Sequence, residues 1–209
     1  MGGKPVIKKE AIFLWLLIFS SVLLWSAVRP HDYFTWVLEV LPAVLGVVIL
    51  AATFRSFQFT SLVYWLILIH SLILMIGGHY TYAEVPAFNW IRDVFGMSRN
   101  NYDKLGHFAQ GFFPALIARE ILLRKSRLEK GKLLSFIVIC ICLAISAFYE
   151  LIEWWVAAAT GTSADAFLGT QGYNWDTQSD MLFALIGAIA ALILLSRVHE
   201  DAMRRASES

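Results

Sequence analysis

Long apolar runs with almost no charge recur along this chain, and the solvent that suits such runs is a lipid bilayer. A helix needs about 20 mainly apolar residues to cross a hydrocarbon core about 30 Å thick. Residues 11–28 form the first such run and carry no charge. Further runs cover 36–54, 59–78 (interrupted by His70), 104–123, 133–156 and 179–197. This pattern predicts an all-α polytopic membrane protein: a single membrane domain over residues 1–209, with six transmembrane helices. The first run is too long for the apolar part of a cleaved signal peptide, so it is read as a retained helix.

Charge placement orients the bundle. On the N-terminal side lie Lys4, Lys8, Lys9, Arg55, Arg119, Arg124, Lys125, Arg127, Lys130, Lys132, Arg197, Arg204 and Arg205. The opposite side holds only Arg29, Arg92, Arg99 and Lys104. Basic loops stay in the cytoplasm, so both termini are expected there, in the bacterial inner membrane. Trp25, Trp36, Trp90, Trp154, Trp155 and Trp175 fall near the outer boundary, where amphipathic rings anchor helices.

Between the third and fourth runs, Pro86 and Gly96 bracket a segment in which Phe88, Ile91 and Phe95 recur at helical spacing. It is expected to be a short amphipathic helix on the periplasmic surface. Residues 157–174, rich in Gly, Thr and Ala, are expected to form a loop on the same side.

A formal net charge of +1 gives no basic field for nucleic acid, so the bilayer is the expected partner. Cys140 and Cys142 are two residues apart, point in different directions on a helix, and read as small apolar residues. No internal repeat is visible, whereas a carrier built from inverted repeats would be expected to show some symmetry.

Three pairs of ligand-type residues gather on the outer side: Asp103 with His107, Glu150 with Glu153, and Asp176 with Asp180. Spacings of three and four put both members of each pair on one helix face. Glu39, His79, Gln110 and Gln178 lie at similar depth. Asp103, Asp176, Asp180 and Glu39 sit near outward-facing helix N-termini, where capping alone would account for each. Glu150 and Glu153 have no such account. They sit near a helix C-terminus, and Glu150 lies about six residues, roughly 9 Å, inside the apolar boundary. A carboxylate at that depth must be paired, protonated or bound to a cation. Together the six residues suit a divalent metal ion such as Mg²⁺, Mn²⁺, Ca²⁺ or Zn²⁺. His107, Glu150 and Asp176 are the expected catalytic groups. His70 lies mid-span and is expected to bond to a neighbouring helix, while Arg119, Glu120 and Arg124 read as a solvated ion pair and snorkelling cations at the inner boundary. Pro114 is expected to kink its span.

Asn101-Tyr102-Asp103-Lys104 with Gly106-His107-Phe108-Ala109-Gln110-Gly111, Tyr149-Glu150 with Glu153-Trp154-Trp155, and Gly169-Thr170-Gln171-Gly172 with Trp175-Asp176-Thr177-Gln178 and Asp180-Met181 resemble the YjdF-like bacterial inner-membrane family over essentially the whole chain. That resemblance implies location and topology. The Asp-Lys-x-x-His opening of the fourth run is also similar to VanZ-like membrane proteins. From the residues, the expected function is a periplasm-facing, metal-dependent enzyme or ligand-binding protein acting on a lipid or envelope molecule. The alternatives are a small-molecule or proton-coupled transporter and a non-catalytic membrane scaffold.

Overall fold

In the computed structural model, which describes residues 7–161, 165–168 and 170–208, the chain is an all-α polytopic bundle. The helices are α1 (Lys9–Ala27), α2 (Tyr33–Thr53), α3 (Ser61–Tyr80), α4 (Pro86–Phe95), α5 (Tyr102–Lys125), α6 (Lys132–Thr160), α7 (Asp165–Leu168) and α8 (Asp176–Ser207). No strand occurs among the described residues. Lys4 and Gly169 lie outside them.

Helices α1, α2, α3, α6 and α8 are each long and apolar enough to cross a membrane. Helix α5 is not in that set, because Asp103, Lys104, Arg119, Glu120, Arg124 and Lys125 lower its hydropathy. Yet its 24 residues measure about 36 Å, and it runs parallel to α8 along that length. At one end Lys104 meets Asp176 and Asp180; at the other Arg119 and Glu120 meet His199. Between them the backbones touch. A Cβ at Gly111 would overlap the Ala184 carbonyl, and one at Gly187 would overlap that of Phe108. Small residues are what permit so close an approach within a membrane.

Local chemistry starts and stops these elements. The Asp32 carboxylate accepts the Thr35 N–H at 2.7 Å and caps α2. That bond holds the Asp32 carboxyl below its ordinary value of 3.8. Pro86 opens α4 and Gly96, at φ +61°, closes it in the left-handed conformation. Trp90, Val94 and Phe95 on α4 stay exposed, as an interfacial helix requires. Trp15 Nε1 donates to the Tyr64 carbonyl and ties α1 to α3.

Several expectations are corrected. Residues 157–174 are not a continuous loop: α6 runs on to Thr160, and α7 follows, with 162–164 outside the described residues. Helix α8 begins at Asp176 and continues to Ser207, past the expected end at 197, because Arg119 and Glu120 hold its His199 and Glu200. Arg119 and Glu120 are not solvated. Both are buried, with Glu120 bound by Thr60 N, Thr60 Oγ1, Arg124 and His199. Arg119 can only donate, so His199 accepts at Nδ1 and donates to Glu120 from Nε2.

Candidate functional site

The N-terminal ends of α5 and α8 are brought together by one clamp. Asn100, fully buried, pairs its backbone N–H and C=O with the Gln171 amide at 3.0 and 2.9 Å. Its side chain donates to the Val85 carbonyl and accepts the Tyr102 N–H. The segment before α8, the entry to α5 and the entry to α4 are thereby locked in one register.

Beneath the clamp lies a cluster of six carboxylates, Glu39, Asp103, Glu150, Glu153, Asp176 and Asp180, none more than 9 % exposed. It has two chemically different halves. In the first, Lys104 Nζ lies 2.5 Å from Asp180, 2.6 Å from Asp176 and 3.3 Å from Asp103. Arg99 adds a 2.6 Å bond to Asp176 and a 3.3 Å bond to Asp103. These three aspartates are matched by two fixed cations. Asp103 and Asp176 lie in the first turns of α5 and α8, while Asn101 and Trp175 occupy the cap positions.

The second half has no such cation. His107 Nε2 lies 3.4 Å from Asp103 and 3.8 Å from Asp180. Its Nδ1 lies 3.2 Å from Gln110 Oε1 and 3.8 Å from Glu150 Oε1. Glu150 Oε1 is buried with no hydrogen-bond partner, which costs several kcal/mol unless a proton or cation joins it. Two sets of ligand atoms lie within 4.8 Å of one another: Asp103, His107 and Asp180, and His107, Glu150 and Glu153. Lys104 already occupies the acidic side of the first set.

A cavity of about 140 Å³ runs inward from this half, past Glu39, Gln110 and Glu153 to His70 and Pro114. Tyr149 donates to Glu39 at 3.2 Å. Tyr82 packs its ring where a Cβ on Gly77 or Gly106 would otherwise sit, so both glycines are needed to admit it between α3 and α5. Burial raises the Tyr82 hydroxyl well above its ordinary value of 10.0, and it stays a donor.

Five of the six expected metal ligands, Asp103, His107, Glu150, Glu153 and Asp180, fall in these two sets, whereas Asp176 faces Arg99 and Lys104. His79 does not join them; its Nδ1 bonds the Ser26 carbonyl. Gln178 is exposed. His70 is corrected too: its Nε2 is buried and unpartnered, and its ring stacks on Phe113. Sequence reasoning missed Arg99, Lys104 and Asn100 as members of the site. The four-residue spacing of Arg99 and Asp103 was a readable signal. The contact of Lys104 with α8 was not.

A family described as a predicted membrane protein family, DUF2238, matches residues 11–201. The inner membrane protein YjdF of Escherichia coli (strain K12) is 51% identical over 189 residues, covering 90% of each chain. No solved structure matches.

Proposed function

The chain belongs to the DUF2238 family of membrane proteins, and on that footing we propose that it is a multi-pass inner-membrane protein whose periplasm-facing acidic and histidine site binds a divalent metal ion and acts on a lipid or other envelope molecule. The relative's name supports the inner membrane. Helix α5 serves as the sixth span beside α8, which puts both termini on one side, and the excess of Lys and Arg there makes that side cytoplasmic.

The observation that carries the reading is charge balance. Asp103, Asp176 and Asp180 face Arg99 and Lys104, whereas Glu150 and Glu153 face the His107 imidazole and no fixed cation among the described residues. A divalent ion held by neutral His107 with Glu150 and Glu153 would match the two glutamate charges where Glu150 Oε1 lacks a partner. One nitrogen and two carboxylate oxygens suit Zn²⁺ or Mn²⁺ and leave positions open for water or substrate. Held there, it would supply Lewis-acid chemistry toward a substrate oxygen or water, with Asp180, 3.8 Å from His107 Nε2, beside it to take up a proton. Asp176 holds Arg99 and Lys104 in place.

Elemental analysis of detergent-purified protein, prepared without chelator, tests this. Wild type should carry a near-stoichiometric metal, retained in Asp176→Asn and reduced about tenfold or more in Glu150→Gln. Well-folded wild type without metal would sink the reading. A carrier is the second reading, favoured by the cavity that reaches His70. It is weaker because about ten residues of α3, roughly 15 Å, separate His70 from Thr60 and the buried Glu120 network, and Val63, Leu116 and Val138 fill that layer.

A further inference from the structure

Glu39 belongs to neither set of candidate metal ligands and forms no ion pair with Arg99 or Lys104. Its carboxylate accepts from the Tyr149 hydroxyl at 3.2 Å. The cavity of about 140 Å³ beside it is walled by Glu39, Asp103, Glu153 and Gln110, and by no Lys or Arg among the described residues. His70 Nε2, buried and without a hydrogen-bond partner, belongs to a side chain of the same wall. Pro42 of α2 and Pro114 of α5 line it as well. A proline lacks the N–H that bonds the carbonyl four residues earlier in a helix, so the Leu38 and Gln110 carbonyls lose that partner. Such a wall is rich in acceptors and negative charge, and it suits a cation that carries several N–H donors.

The same cavity reaches the side of the bundle. Ile145 lines it and is 43 % exposed, and Pro42 lines it and is half-buried, so one layer of side chains separates it from the hydrocarbon there. Ile145 lies four residues deeper along α6 than Tyr149, and Pro42 three deeper along α2 than Glu39, about 5–6 Å. An amphiphile of the outer leaflet holds its head outward and its chain inward, which is the order in which Glu39 and this thin wall lie. On the other side of Tyr149, α7 packs against α2 and α6, with the Phe167 and Tyr149 ring centroids 6.4 Å apart.

We propose that this cavity seats the primary ammonium of a membrane-dissolved amphiphile, paired with Glu39, its chain leaving the bundle between Pro42 and Ile145. A cavity of this size accepts about six non-hydrogen atoms, which leaves room for a second donor on the head toward His70 Nε2. This adds a substrate class to the proposed function and rests on that reading only for the claim that the bound amine is acted upon.

The test is isothermal titration calorimetry of the full chain in phosphatidylcholine nanodiscs, blanked with empty nanodiscs, using hexylammonium, hexanol and ethylammonium. Glu39→Gln removes the charge and keeps an acceptor for Tyr149; Ile145→Trp thickens the wall from its lipid-facing side, so one folded variant suffices. The expected result is one hexylammonium per wild-type chain, bound about tenfold more weakly in either variant. Hexanol has the chain without the charge, and ethylammonium the charge without the chain; each should bind wild type more weakly than hexylammonium. Unchanged hexylammonium binding in a folded variant, or none in folded wild type, would overturn the proposal. So would hexanol binding as tightly, which leaves an apolar pocket only, or ethylammonium binding as tightly, which makes the ligand a water-borne amine. Metal content measured on the same samples separates the two ideas: metal without amine binding defeats this proposal alone, and amine binding without metal defeats the metal reading alone.

Discussion

Lys104 decides more at this site than any other single residue. One ammonium serves Asp103, Asp176 and Asp180, drawn from two helices. Breaking a buried ion pair by removing one partner costs about 3–5 kcal/mol, because the remaining charge stays buried. Lys104→Met should therefore lower the thermal midpoint of the detergent-solubilised protein strongly, while Asp176→Asn, which leaves Arg99 and Lys104 their other carboxylates, should lower it less. Equal midpoints for Lys104→Met and wild type would refute that role. Asp32 gives a pH-dependent counterpart. Its carboxyl is held below the ordinary 3.8 by the Thr35 N–H, so its contribution is present above that value and lost as pH falls through the depressed folded value. Asp32→Ala should cost about 1 kcal/mol near neutral pH, with the difference from wild type vanishing at strongly acid pH. A pH-independent difference in unfolding midpoint would contradict the cap.

At the scale of elements, the parallel pair α5 and α8 frames the site. Their touching backbones, Gly111 against Ala184 and Gly187 against Phe108, hold Asp176 and Asp180 within reach of Lys104. Gly111→Leu should wedge the pair apart, destabilise by about 3 kcal/mol or more, and lower metal content although it lies outside the carboxylate cluster; near-wild-type stability and metal would refute this. This pairing was only partly legible in the sequence. Apolar runs revealed the helices, and spacings of three and four revealed which carboxylates share a face. Gly187 and Ala184 are small residues in an apolar run, a pattern that suits close helix packing without naming the partner helix. Nothing local distinguishes a solvated Glu120 from one buried against Thr60 and His199, since that depends on contacts 60 and 79 residues away. The extension of α8 beyond 197 was hidden for the same reason: its polar residues read as surface until Arg119 and Glu120 arrive from α5 to meet them.

For the whole molecule, an acid-rich chamber opens near one membrane face, and a closed polar network sits near the other. The proposed six-span topology makes a direct prediction. Single cysteines at positions 8 and 206, introduced after replacing Cys140 and Cys142, should resist an impermeant thiol reagent in intact cells, whereas one at position 173 should react. Labelling of either terminal position from outside would reverse or break the assigned orientation. In the proposed function the chamber holds a divalent cation through His107 and the two glutamates of α6. The measurement that tests it most directly is pulsed electron paramagnetic resonance of the purified protein loaded with Mn²⁺. Nitrogen modulation from one coordinated imidazole is expected, lost in His107→Gln and kept in Asp176→Asn. Bound Mn²⁺ without nitrogen coupling, or no bound Mn²⁺ in folded protein, would contradict it.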